Sequence, residues 1–97
     1  MVTLTHGERR RIGLVIENLN DVSFVIGEAE YTVFKQDGTE IKSNKATIDE
    51  ANDTVYTIID TNELEPDEAY NVYFRVEIDG GFKVLKESVK VVVTGYQ

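Results

Sequence analysis

Residues 64–78 read Leu64-Glu65-Pro66-Asp67-Glu68-Ala69-Tyr70-Asn71-Val72-Tyr73-Phe74-Arg75-Val76-Glu77-Ile78. From Tyr70 onward every second residue is apolar, through Val72, Phe74, Val76 and Ile78. Side chains of a strand alternate between its two faces, so this period of two predicts a half-buried strand. Asn71, Tyr73, Arg75 and Glu77 fall on the opposite face. Pro66 lacks a backbone donor and holds its own φ, which places a rigid turn just before the strand. Asp79-Gly80-Gly81 follows it as a hairpin turn. Phe82–Leu85 and Ser88–Thr94 then return the chain as one long strand with a bulge near Lys86-Glu87.

The same alternation recurs upstream. Ile12, Leu14 and Ile16 share one face, with Arg11, Gly13, Val15 and Glu17 on the other. Asn18-Leu19-Asn20-Asp21 interrupts it with turn formers. Val22, Phe24 and Ile26 resume it, Gly27-Glu28 kinks it, and Ala29, Tyr31 and Val33 continue it. Asp37-Gly38 predicts a two-residue type I′ hairpin turn, with positive φ at both positions. The chain folds back through Thr39, Glu40 and Ile41, and Ala46 and Ile48 mark a short strand. Val55–Asp60 predicts another, and Thr61–Ala69 a loop. The first residues carry no pattern. The expected organisation is a flexible arm over 1–8, one sandwich over 9–94 and a tail over 95–97.

Bulk composition agrees. The 97 residues make one domain and include 13 Val, 8 Ile and 9 Thr against 5 Leu, 4 Ala and one Met. β-Branched side chains lose χ1 freedom in a helix and fit a pleated surface. No 3.6-residue periodicity persists beyond a turn. The expectation is an all-β antiparallel sandwich of about seven strands. With no Cys there is no disulfide, no thiolate metal site and no Cys nucleophile. One His is too few for the usual His-based zinc sites. A formal charge of −8 argues against nucleic acid and anionic membranes. No apolar run approaches the ~20 residues of a membrane helix. The N-terminus lacks the apolar core of a signal peptide, so synthesis in a cytoplasm is expected.

The segment from Leu64 to Val76 resembles the tyrosine corner of immunoglobulin-like and fibronectin type III sandwiches. In that motif the Tyr hydroxyl bonds back to the backbone a few residues upstream. The resemblance makes Tyr70 the corner residue, Leu64 its apolar plug and Pro66 its rigid turn. The core Trp of fibronectin domains and the Cys pair of antibody-type domains are missing. A looser resemblance spans Arg11 to Val93. A first strand is followed by Phe24-Val25-Ile26-Gly27-Glu28-Ala29-Glu30-Tyr31-Thr32-Val33, then by Asp37-Gly38-Thr39, then by the closing hairpin at Asp79-Gly80-Gly81. This layout is similar to small immunoglobulin-like domains in structural proteins of tailed bacteriophages, including baseplate proteins. It implies a virion or prophage-encoded component.

Candidate interaction residues are few. Arg9, Arg10 and Arg11, with His6 nearby, form the one basic concentration; they read either as a docking patch for an acidic partner or as a solvated strand start. Residues 49–68 hold eight of the 18 acids and no Lys or Arg. A Ca²⁺ site needs such oxygens, yet no EF-hand spacing is present, and solvated loops at the sandwich ends account for them. A basic start and an acidic middle would also suit head-to-tail contacts between copies. Tyr56 and Tyr73 lie on the outward parity of their strands, where they form part of a binding face or cross-strand aromatic pairs. Ser23, Ser43 and Ser88 each need a positioned base, and His6 sits in the expected arm. The expectation is a non-enzymatic structural protein without cofactor or metal, acting through contacts with other structural proteins or copies of itself in a ring. The rival is a small binding module for carbohydrate or a cell-surface polymer.

Overall fold

The computed structural model describes residues 2–16, 26–78 and 80–93. These contain eight strands: β1 (Val2–Thr5), β2 (Arg9–Val15), β3 (Ile26–Lys35), β4 (Glu40–Lys45), β5 (Thr47–Asp49), β6 (Thr54–Asp60), β7 (Ala69–Ile78) and β8 (Gly81–Val92). One-turn 3-10 helices at Glu50–Asn52 and Thr61–Glu63 flank β6. Five strands form one sheet in the order β1-β8-β7-β3-β4, and three form a second in the order β2-β6-β5. The two sheets form an all-β sandwich around one shared core.

The alternating residues meet between the sheets. Ile12, Val55 and Ile59 from the smaller sheet pack with Tyr31, Val33, Val72, Phe74, Val76, Val89 and Val91 from the larger one. Phe74 and Val76 at the centre are fully buried. Burying a side chain of this size contributes about 1.5–3 kcal/mol, so this thin layer supplies most of the drive to fold. Gly13 shows how tightly β2 approaches β6. A Cβ there would lie 2.7 Å from both the Tyr56 Cβ and the Val55 carbonyl.

The tyrosine corner has the geometry its sequence suggested. Tyr70 is 1% exposed, and its hydroxyl accepts a 2.8 Å hydrogen bond from the Glu65 N–H. Leu64 is buried beside it, and Pro66 lies exposed at the turn.

Four expectations change. The start of the chain is not a loose arm: Val2–Thr5 pair in parallel with Val89–Val92, and Leu4 is fully buried. The turn after β1 is anchored as well, because the His6 N–H reaches the Val92 carbonyl (2.7 Å). This parallel pair also makes the larger sheet mixed rather than wholly antiparallel. The Asp37-Gly38 hairpin is not a type I′ turn. The Gly38 N–H bonds the Lys35 carbonyl (3.0 Å), and Gly38 at φ 91° carries the positive dihedral. The Asp37 carboxylate instead accepts from the Thr39 N–H (2.9 Å). β8 has no bulge at Lys86-Glu87, since its register against β7 runs unbroken from Ala69↔Lys90 to Ile78↔Gly81. Its apolar parity switches because Phe82 and Val84 point outward, not because the backbone slips. Finally, apart from Ile26, the expected strand over Val22 and Phe24 lies outside the described residues, as does the tail over 95–97.

Candidate interaction surfaces

Strand parity sorts the candidates onto opposite sides of the molecule. Val55, Thr57 and Ile59 of β6 point inward, so Tyr56, Ile58 and Asp60 point outward. On β2 the outward set is Arg9, Arg11, Gly13 and Val15. The register sets Arg11 opposite Ile58 and Gly13 opposite Tyr56. With no side chain at Gly13, the Arg11 guanidinium lies over the Tyr56 ring, 3.5 Å from its centroid. Such stacking is worth about 0.5–1 kcal/mol at an exposed site.

The basic cluster therefore sits beside the acids, not at an opposite pole. Arg9 pairs in register with Asp60, and Arg10 lies 3.9 Å from Glu8. Arg11 adds to the pull that holds the Asp49 carboxyl below its usual value, after the larger effect of the Asn52 side-chain hydrogen bond. Folding brings the basic start of the chain against its acidic middle, so the polarity along the sequence is not a polarity across the domain. Among the described residues, no three His, Asp or Glu side chains converge as metal ligands would.

The other side of the sandwich is built differently. On the outer face of the larger sheet, β3 presents Thr32 and Phe34, β7 presents Asn71, Tyr73 and Arg75, and β8 presents Phe82, Val84 and Lys86. Phe34 and Tyr73 meet edge to face, with centroids 5.5 Å apart and an interplanar angle of 86°. The Arg75 guanidinium lies 3.9 Å from the Phe82 centroid and 3.5 Å from the Glu30 carboxylate. Phe82 and Val84 remain 53% and 59% exposed. Phe34, Tyr73, Arg75 and Val84, with Lys35, line an open concavity of about 560 Å³. Lys45, Arg75, Lys86 and Lys90 share this face with Glu30, Glu40 and Glu77. In a chain with 18 acids and 10 bases, this surface carries no excess of acid among the described residues.

Tyr56 and Tyr73 thus lie on opposite faces and form no common row. Tyr56 is covered by Arg11, and the perpendicular rings of Phe34 and Tyr73 offer no flat platform for sugar rings. Composition and parity did not single out Phe34, Arg75, Phe82 and Val84. The signal available was the parity switch of apolar residues within β8.

The proposed serines have structural partners. Ser43 Oγ lies 3.0 Å from Thr32 Oγ1 and 3.3 Å from the Tyr31 carbonyl. Ser88 Oγ contacts Asn71 Oδ1 at 3.3 Å. Ser23 lies outside the described residues. His6 is fixed at the far end, its Nε2 donating to the Leu64 carbonyl (3.1 Å). Beside it Thr61, fully buried, closes the same corner. Its hydroxyl accepts from the Gly7 N–H (2.8 Å) and points its proton at the carbonyls of Glu8 (2.6 Å) and Thr5 (3.1 Å). Where Tyr31, Lys42, Ile58 and Leu64 meet, a crevice of about 20 Å³ remains, room for one water molecule.

No protein-family model matches the chain, and no curated protein matches it in sequence.

Proposed function

We propose that this chain is a non-enzymatic interaction protein that works through the outer face of its five-stranded sheet. The observation that carries the reading is the pair of exposed apolar side chains, Phe82 and Val84, continuous with Phe34, Tyr73 and Arg75. Aromatic and Arg side chains are the residue types enriched where proteins meet. The face is open rather than cleft-like, which suits a protein surface better than a small ligand, whose pockets enclose most of it. Its partners are other structural proteins, and the layout similar to immunoglobulin-like domains of tailed phages supports a place in a virion or prophage particle. Mass spectrometry of particles purified from the induced host strain tests this. The chain is expected at fixed stoichiometry, and Tyr73→Ala combined with Val84→Asp is expected to remove it from particles while its melting curve stays cooperative. Absence of the wild-type chain from purified particles would contradict the particle assignment.

A further inference from the structure

The two edges of β8 are not alike. One is paired with β7 from Gly81 to Lys90. The other meets β1 only at Val89–Val92. Among the described residues, nothing pairs with that edge from Gly81 to Ser88.

Which backbone groups this leaves open follows from the ladder. In an antiparallel pair, successive residues direct their N–H and C=O alternately toward the partner and away from it. Val91 faces the β7 side: its N–H bonds the Glu68 carbonyl (3.0 Å), and its carbonyl accepts from Asp67 (2.8 Å). Val92 faces the β1 side, where its carbonyl takes the His6 N–H. By alternation Phe82, Val84 and Lys86 point their amides and carbonyls at the open edge and Ser88 its amide, while the Ser88 carbonyl lies in the register of the Val2 N–H of β1. Long unpaired edges of this kind are templates for another strand, and native proteins seldom leave one unmanaged.

We propose that this edge pairs with the same edge of a second copy, antiparallel about Leu85, joining the two larger sheets into one. This extends the reading of the chain as an interaction protein by naming a partner. Three observations agree on that register. Leu85 is the midpoint of 82–88, the stretch left free between the hairpin turn and the start of β1. Pairing about Leu85 sets Val84 opposite Lys86 and Phe82 opposite Ser88, so that the open amides and carbonyls of Val84 and Lys86 satisfy one another. The same register sets Lys83 of each copy opposite Glu87 of the other, on the face toward the sandwich interior. Opposite charges directly across a ladder stabilise it, and like charges do the reverse. The aliphatic stem of Lys86 would cover Val84 of the other copy. The contact is self-complementary and closes as a two-fold dimer, so it does not propagate into a fibre.

A charge-swap series tests the register. Sedimentation equilibrium over a concentration series is expected to show a monomer–dimer equilibrium for the wild type. Lys83→Glu and Glu87→Lys are each expected to weaken the dimer by about tenfold, and the double exchange to restore it. Lys83 is exposed and Glu87 half-buried at the strand edge, and thermal melts of each variant report whether the domain stays folded. A wild type that remains monomeric at millimolar concentration would overturn the pairing. So would a dimer indifferent to both single changes, which would place the interface elsewhere. Neither outcome bears on the outer face, whose test is particle incorporation of the Tyr73 and Val84 variant.

Discussion

β8 is two structures in one strand. From Val89 to Val92 it has β7 and the Asp67-Glu68 turn on one side and β1 on the other, with Val89 and Val91 buried. From Gly81 to Ser88 it has β7 alone, with Phe82 and Val84 standing in solvent. The C-terminal half is held by everything that collects at its end of the sandwich: Leu4, the His6 turn, Thr61 and the Tyr70 corner. The N-terminal half has no such company. A side chain's type does not separate these halves, since valine occurs in both. What differs is whether a neighbouring strand has sealed the edge, and that divides the fold's stability from its capacity to bind.

Substitutions at the sealed end should therefore cost stability, and those at the open end should not. Leu4→Ala carries the largest expected effect, about 2–5 kcal/mol, because it leaves a cavity between β1 and the core. Urea unfolding monitored by circular dichroism measures it, and a loss below about 0.5 kcal/mol would restore the view of a loose arm. Thr61→Val keeps the shape but removes, at a fully buried position, the hydroxyl that receives the Gly7 N–H and bonds the Glu8 and Thr5 carbonyls, at about 1–3 kcal/mol. Tyr70→Phe removes the hydroxyl that receives the Glu65 N–H and should cost about 1 kcal/mol. On the smaller sheet, Arg11→Ala should lower stability by about 0.5–1 kcal/mol through the lost stacking on Tyr56. Val84→Ser at the open end should stay within about 0.5 kcal/mol while weakening association.

The smallest effect concerns pH. Thr39 hydrogen bonds hold the Asp37 carboxyl below its ordinary value of 3.8, and Asn52 does the same for Asp49. A folded-state value below the unfolded one means that the ionised form supports the fold. The contribution is present above about pH 4 and fades as acid drives pH down through the folded values. Asp37→Asn should lower stability slightly at pH 7, where the ionised carboxylate contributes, and flatten the stability curve at acid pH, where the carboxyl is protonated in either state.

Much of the fold was legible because it rests on alternation. Tyr70 to Ile78 and Ile12 to Ile16 declare their inward faces, and the Leu64-Pro66-Tyr70 spacing announces a corner whose hydrogen bond lies where the motif puts it. What was not legible depends on pairs distant in the chain. Val2–Thr5 is too short to show a period, and its partner lies at the opposite terminus. Asp37-Gly38 fits either of two turn geometries until the register of β3 with β4 is known. Thr61 looks like any threonine until folding brings Thr5, Gly7 and Glu8 around its hydroxyl. Arg11 and Tyr56 are far apart in sequence and become neighbours only through the pairing of β2 with β6. The surface around Phe34 and Val84 stayed hidden for the opposite reason. Apolar residues are read as core by default, and a strand that exposes them disguises itself as a bulge.

Amide hydrogen exchange along β8, resolved by residue and repeated over a range of protein concentrations, tests the division of this strand most directly. In dilute solution the amides of Phe82, Val84, Lys86 and Ser88 should exchange at nearly the rate of open chain, while those of Lys90 and Val92 are slow. As concentration rises, the same four should become protected together. Protection of all four at every concentration would mean that the chain itself already covers the edge. Fast exchange at every concentration would mean that no second copy joins it. Either result would contradict the account.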